Sequence, residues 1–213
     1  CQHVILGRKN MRKPHFWEEA KKDLIKKDKK LGSIIKNYPR DFLFTKSDPF
    51  YTLARSIVGQ QISVTAAQAV WERFEKKVKI VKPRNVREMH YMKFKSCGLS
   101  RQKIAYLKSL SIAFIEKKIK PKKWGLLENE KIIEELTQIK GIGRWTAEMF
   151  LIFSMKRLDV FSVDDLGLKK AVIKLYKLKN DDREKILKIS SKWKPYRSIV
   201  SWYLWRALDR KII

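Results

Sequence analysis

Two glycines set two residues apart, Gly141 and Gly143, stand inside Leu136-Thr-Gln-Ile-Lys-Gly-Ile-Gly-Arg-Trp-Thr-Ala147, between stretches of helical periodicity. Glycine lets the backbone turn tightly and lets a partner approach closely. A helix after such a turn directs its first N–H groups and the positive end of its dipole at whatever sits there, which suits an anion. Lys140 and Arg144 flank the turn, so phosphate is the favoured occupant. A plain turn between antiparallel helices is the other reading of the same residues. A second cluster, Val163-Asp-Asp-Leu-Gly-Leu168, places two carboxylates where a helix begins. The everyday role of either is to cap that helix. Other chemistry is poorly supplied. Two cysteines, Cys1 and Cys97, exclude a disulfide framework, a four-cysteine zinc site and a four-cysteine iron–sulfur cluster. The scattered His3, His15 and His90 make a histidine metal site or a Ser-His-Asp arrangement poor prospects.

These residues sit in a chain of 213 amino acids with 50 Lys and Arg against 22 Asp and Glu, a formal charge of +28. Such a balance points to a polyanion, and nucleic acid is favoured over an anionic membrane surface. Part of the charge, as in Lys26-Lys27-Asp28-Lys29-Lys30, reads as solvated surface. With 44% hydrophobic residues the chain can bury a core. No apolar run approaches the ~18 residues of a membrane span, and residues 1–15 lack the apolar stretch of a secretory leader. A reduced, intracellular, DNA-containing compartment is expected. Met11 is a candidate start, with residues 1–10 an extension.

The elements that must hold the two clusters are helical. Phe16 to about Tyr38 reads as one or two charged helices. Asp48 or Ser47 caps a helix whose Phe50, Leu53, Ala54, Ile57 and Val58 follow one face, ending at Gly59-Gln60-Gln61. Another starts near Ser63. Lys82-Pro83-Arg84 reads as a linker, Val86–Met92 as a short helix, and Cys97–Ser100 as a turn capped by Ser100. A helix through Ile104 and Phe114 follows, then a basic connector at Lys120–Gly125. Helices over about 128–138 and 144–155 bracket the glycine turn. A helix from Asp164 or Asp165 and two more, near 182–191 and 196–208, complete an all-α fold of about ten helices. Trp17, Trp71 and Trp124 read as core.

Residues 136–147 resemble the hairpin of the helix-hairpin-helix Gly-Pro-Asp superfamily of DNA glycosylases, and the 3-methyladenine DNA glycosylase II branch in particular. The resemblance continues in family order through Asp48-Pro-Phe-Tyr-Thr-Leu-Ala-Arg-Ser-Ile-Val-Gly-Gln-Gln-Ile-Ser63, Gly98-Leu-Ser-Arg-Gln-Lys103, Val160-Phe-Ser-Val-Asp-Asp-Leu166 and Trp193-Lys-Pro-Tyr-Arg-Ser198. It implies two helical subdomains with a cleft between them. Residues 11–45 would pack with 159–213, and 46–158 would form the central subdomain, ending in the helix-hairpin-helix at about 131–155. It implies that Asp165 is the catalytic carboxylate, at the mouth of the cleft, and that Asp164 is the cap or a residue that supports that carboxylate. Bifunctional members carry a Schiff-base lysine directly after the hairpin arginine. Trp145 stands there instead, so a monofunctional hydrolase without lyase activity is expected.

By the same resemblance Trp145 and Trp205, with Trp202, line the base pocket, where an indole face attracts a cationic alkylated purine. Met149 stands where some relatives have another aromatic, and Tyr196 or Tyr203 could compensate. Gln61, then Gln60, matches the wedge that fills the stack when a base is flipped. Arg101, Lys103, Lys140, Gly141, Gly143, Arg144, Thr146 and Arg197 are the remaining candidate contacts to double-stranded DNA carrying a damaged base. No cofactor is required. A monovalent cation (Na+ or K+) at the backbone carbonyls of Thr137, Ile139 and Gly141 is implied as a structural ion. A monomer is expected, with no membrane partner. The alternatives are a glycosylase for an oxidised or deaminated base, and a non-catalytic DNA-binding protein built on the same hairpin.

Overall fold

A computed structural model of the chain describes residues 16–39 and 48–213. The extension expected at 1–10, the start at Met11 and the alternative cap Ser47 lie outside the described residues. Those residues form twelve α-helices and one 3-10 helix, with no strand, so the all-α expectation holds. They divide into two compact units, one comprising residues 48–150, the other residues 16–39 and 151–213.

The first unit is built on α3 (Pro49–Gly59), α4 (Val64–Val78), α5 (Pro83–Glu88), α6 (Tyr91–Ser96) and α7 (Arg101–Ile115). Asp48, Ser63 and Ser100 cap α3, α4 and α7 through side chains that accept from Tyr51, Ala66 and Lys103 amides. Each such cap contributes about 1 kcal/mol. Helix α7 is the hub: it packs on α3, α5 and α6, and Ile104, Leu107 and Leu110 are buried along it. The linker expected at Lys82–Arg84 is instead the start of α5, because Pro83 occupies its first turn, where a missing N–H costs nothing. The single helix expected over Val86–Met92 is two, broken at Met89 and His90, which adopt extended geometry; His90 caps α6. The basic connector winds into a 3-10 helix, Pro121–Leu126, that drives Trp124 inward. Then come α8 (Asn129–Thr137) and α9 (Arg144–Phe153). This unit ends at Phe150, inside α9, rather than at the expected 158.

The second unit contains α1 (Phe16–Lys27), α2 (Lys29–Lys36), α10 (Leu166–Tyr176), α11 (Arg183–Ser191) and α12 (Arg197–Asp209). Helix α12 is buried on every side from Ser198 to Ala207, so α2 and α10 pack around it. Trp17 donates to the Tyr203 hydroxyl at 3.1 Å, and Trp17, Tyr38, Trp202 and Tyr203 form an edge-to-face aromatic cluster. Asp28 separates α1 from α2 by capping the latter. Trp17, Trp71 and Trp124 are core residues, as expected.

Candidate active site and nucleic-acid interface

In the 48–150 unit the two glycines of the hairpin differ in kind. Gly141 has φ +94°, and a Cβ there would lie 2.3 Å from Cγ of Tyr106. Both the backbone and the ring beneath it demand glycine. Gly143 has open space where a side chain would be, so a ligand can approach the backbone. The first intrahelical bond of α9 runs from Ala147 N to Gly143 O, which turns the amides of the first turn toward the hairpin. Tyr106 comes from α7, and its hydroxyl accepts from Gln102 at 2.6 Å. Gln60 donates its side-chain N–H to the Gly141 carbonyl at 2.9 Å. Lys103 donates to the Val58 carbonyl at 2.7 Å, capping the end of α3. Burial holds the Lys103 ammonium below the usual lysine range.

A cavity of about 430 Å³ brings these residues together. Gln60, Gln61, Lys103, Thr137, Ile139, Lys140, Gly141 and Gly143, all singled out from the sequence, line it. Lys140 and Gln61 are exposed. Arg101 is exposed in the first turn of α7 but does not line the cavity.

Three more expected DNA contacts have another occupation, as Gln60 and Lys103 do. Arg144 forks onto Glu130 at 2.6 and 3.0 Å and reaches Glu148 at 3.1 Å, which straps α8 to α9. Its bonds to Glu130 raise the guanidinium pKa and hold the Glu130 carboxyl low. Thr146 is buried, so its side chain is not offered to solvent. Arg197, in the other unit, makes a bidentate pair with Asp159 at 2.6 and 2.9 Å, fixing the start of α12. Trp145 is 41% exposed on α9, and Met149, one turn later, is buried.

In the unit of residues 16–39 and 151–213, Asp165 is the residue that caps α10. Its Oδ1 accepts from the Leu168 amide at 2.8 Å and from the Trp205 indole N–H at 3.0 Å. The side chain is 6% exposed, while the next residue, Leu166, is 71% exposed, so the carboxylate lies just under the surface. The expected division of labour is therefore corrected: Asp164 is not the cap but lies exposed beside Arg183 at 3.5 Å. Asp165 is itself the cap, and the cap amide and the indole hold its carboxylate in one orientation.

Trp205 is nearly buried, one face stacked on Phe153 at 5.7 Å, and its contact is with the carboxylate. Trp202 is fully buried between Trp17, Tyr38 and Tyr203. That corrects its expected pocket role: it is core, because its place on α12 faces the aromatic cluster.

The implied cation would sit at carbonyls that already work. Ile139 O accepts from the Ile142 amide at 3.0 Å and Gly141 O from Gln60 at 2.9 Å. A carbonyl oxygen carries two lone pairs, so each keeps capacity for one more partner.

A glycine-turned hairpin that offers helix amides to a phosphate, together with a shielded carboxylate at the head of a later helix, defines a helix-hairpin-helix protein equipped for hydrolysis on a nucleic acid. Residues 54–195 match the HhH-GPD superfamily of base excision DNA repair proteins, and the chain belongs to that family. It is 38% identical over 183 residues to DNA-3-methyladenine glycosylase 1 of Schizosaccharomyces pombe, covering 84% of this chain and 80% of that one. The crystal structure of a Bacillus halodurans DNA-3-methyladenine glycosidase superposes with a TM-score of 0.80 at 35% identity, over 92% of each chain. The S. pombe 3-methyladenine DNA glycosylase in complex with abasic DNA gives 0.76 at 36% identity, over 90% of this chain and 97% of the other.

Proposed function

We propose that the protein is a monofunctional DNA glycosylase that hydrolyses the N-glycosidic bond of alkylated purines, of the 3-methyladenine and 7-methylguanine type, in base-excision repair. The carrying observation is Asp165, shielded and held on one oxygen by the Leu168 amide and the Trp205 indole. Breaking the C1′–N bond sends its electron pair to the base and leaves positive charge on the sugar. The carboxylate stabilises that charge and takes a proton from the attacking water. A purine alkylated at N3 or N7 is already cationic and departs neutral, so no strong acid is needed opposite Asp165. The products are a free base and an abasic strand.

The hairpin supplies the grip: α9 amides, Gly143 and Lys140 receive phosphate. Trp145 presents an indole face suited to a cationic base. Its place after Arg144 holds no lysine, so no Schiff base forms there. Gln61, exposed at φ +57°, is the wedge, since Gln60 is engaged by the hairpin. Carbonyls of Thr137, Ile139 and Gly141 would hold a Na+ or K+ ion that adds positive charge to the phosphate site. The protein works as a monomer on double-stranded DNA inside the cell. No helix among the described residues is long and apolar enough to cross a membrane.

The test is a panel of single-lesion duplexes scored for released base. The wild type should release alkylated purines and leave no covalent adduct on borohydride treatment. Asp165→Asn should bind the duplex but release base at least about a thousandfold more slowly. Near-normal release by the variant, or a strong adduct, would overturn the assignment.

A further inference from the structure

We propose that Gln60 is a positioning residue: it ties the wedge turn to the hairpin, so that seating the hairpin on a phosphate sets how Gln61 enters the base stack. The proposal rests on the reading of Gln61 as the wedge. The turn between α3 and α4 spans only Gln60, Gln61, Ile62 and the cap Ser63. Gln61 holds φ +57°, a left-handed conformation that is unfavourable for a glutamine and that the surroundings must support.

The surroundings here form a closed triangle. Helix α7 reaches the end of α3, just before the turn, through Lys103, whose ammonium donates to Val58 O at 2.7 Å. The same helix reaches the hairpin through Tyr106, whose ring fills the space a Cβ on Gly141 would occupy. Gln60 closes the third side by donating to Gly141 O at 2.9 Å, across 81 residues of sequence. Three sides fix a shape that two would leave hinged. Gln61, adjacent to Gln60 and lining the same cavity as Lys140 and Gly143, inherits its register from that bond. Lys103 and Gln60 thus act through the turn, which separates them from groups that touch DNA.

The experiment is a double-mutant cycle on the full chain. Base extrusion is read by the fluorescence of 2-aminopurine next to the lesion, and base release by single-turnover kinetics. Gln61→Ala should reduce extrusion about tenfold or more. Gln60→Met, which keeps the side-chain length but has no donor, should cause a similar loss at nearly unchanged thermal stability. Gln60→Glu, which sets a carboxylate against the Gly141 carbonyl, should do the same. The Gln60→Met/Gln61→Ala double variant should be no worse than Gln61→Ala alone, as expected when one residue acts through the other. Additive losses, or normal extrusion in both Gln60 variants beside an impaired Gln61→Ala, would overturn the proposal with the wedge intact. Normal extrusion by Gln61→Ala would instead remove the wedge reading, and the proposal with it.

Discussion

Two aspartates in the same unit make the same local bond to opposite ends. Asp28 caps α2 and Asp165 caps α10; both are nearly buried, at 8% and 6% exposure, and both receive an indole N–H. Around Asp28 the donors divide between the two oxygens. Oδ1 takes the Leu31 amide at 3.1 Å, and Oδ2 takes the Trp193 indole at 3.0 Å and the Tyr176 hydroxyl. Helices α2 and α10 and the segment before α12 are thereby braced by one carboxylate. Around Asp165 the cap amide and the indole converge on Oδ1. The lesson is that a buried, capped, indole-bonded aspartate is not in itself a reactive group. At Asp28 the donors come from three segments of the chain and brace them, whereas at Asp165 an α10 amide and an α12 indole meet on one oxygen and fix the orientation of the carboxylate.

That contrast can be broken by matched substitutions. Asp165→Asn carries the largest effect, the thousandfold loss of base release described above. Its stability should move by less than about 1 kcal/mol, because asparagine caps a helix as well as aspartate does. Asp28→Asn should do the reverse. The brace loses charge-assisted bonds, so the unfolding free energy should fall by about 2 kcal/mol, read from the urea midpoint. Base release per folded molecule should stay at the wild-type level. A smaller effect is expected from Trp205→Phe, which keeps the stack on Phe153 and deletes the donor to Asp165: release should slow about tenfold, with binding to undamaged duplex unchanged. If Asp28→Asn abolished release in a stable protein, the two aspartates would not be distinguished by the geometry of their donors.

The sequence carried the hairpin, the periodic faces and the Ser100 cap of α7, and narrowed the cap of α3 to Asp48 or Ser47, because all of these are set by neighbours within one or two turns. It could not say which of Asp164 and Asp165 caps α10, since adjacent carboxylates satisfy the same local pattern. It hid Asp28 inside a lysine run that reads as solvated surface. The residues that bury it, Tyr176 and Trp193, lie 148 and 165 positions away. Arg144 read as a phosphate contact from its place in the hairpin. Its partner Glu148 was visible one turn on, but Glu130, which takes two of its three bonds, belongs to the other side of the turn. Trp202 and Trp205 occupy one helix and look alike in sequence. Only the packing of α12 separates a core ring from a donor to the carboxylate. Tyr106 left no signal at all, because nothing local links a half-buried tyrosine on α7 to a glycine 35 residues later.

The smallest predicted effect is a difference in acid sensitivity. Burial pushes the Asp28 carboxyl up, but the bonds from Tyr176, Trp193 and the Leu31 and Lys30 amides outweigh it, and its pKa lies below the ordinary 3.8. The folded chain therefore ionises this group at lower pH than the unfolded chain does, and the unfolded state is the better proton acceptor. The stabilisation is complete above the unfolded value and is lost as pH falls through the folded one. Asp48, Glu130 and Asp182 also have lowered values, but they are present in both proteins and cancel in a comparison. The gap in urea midpoint between wild type and Asp28→Asn should hold constant from pH 7 to about 5 and then narrow toward pH 3. The narrowing should be small beside the gap itself, since solvent screens part of the shift. A gap that stayed constant to pH 3 would mean that the charge on Asp28 adds nothing to the brace and that its hydrogen bonds serve equally well to a neutral side chain.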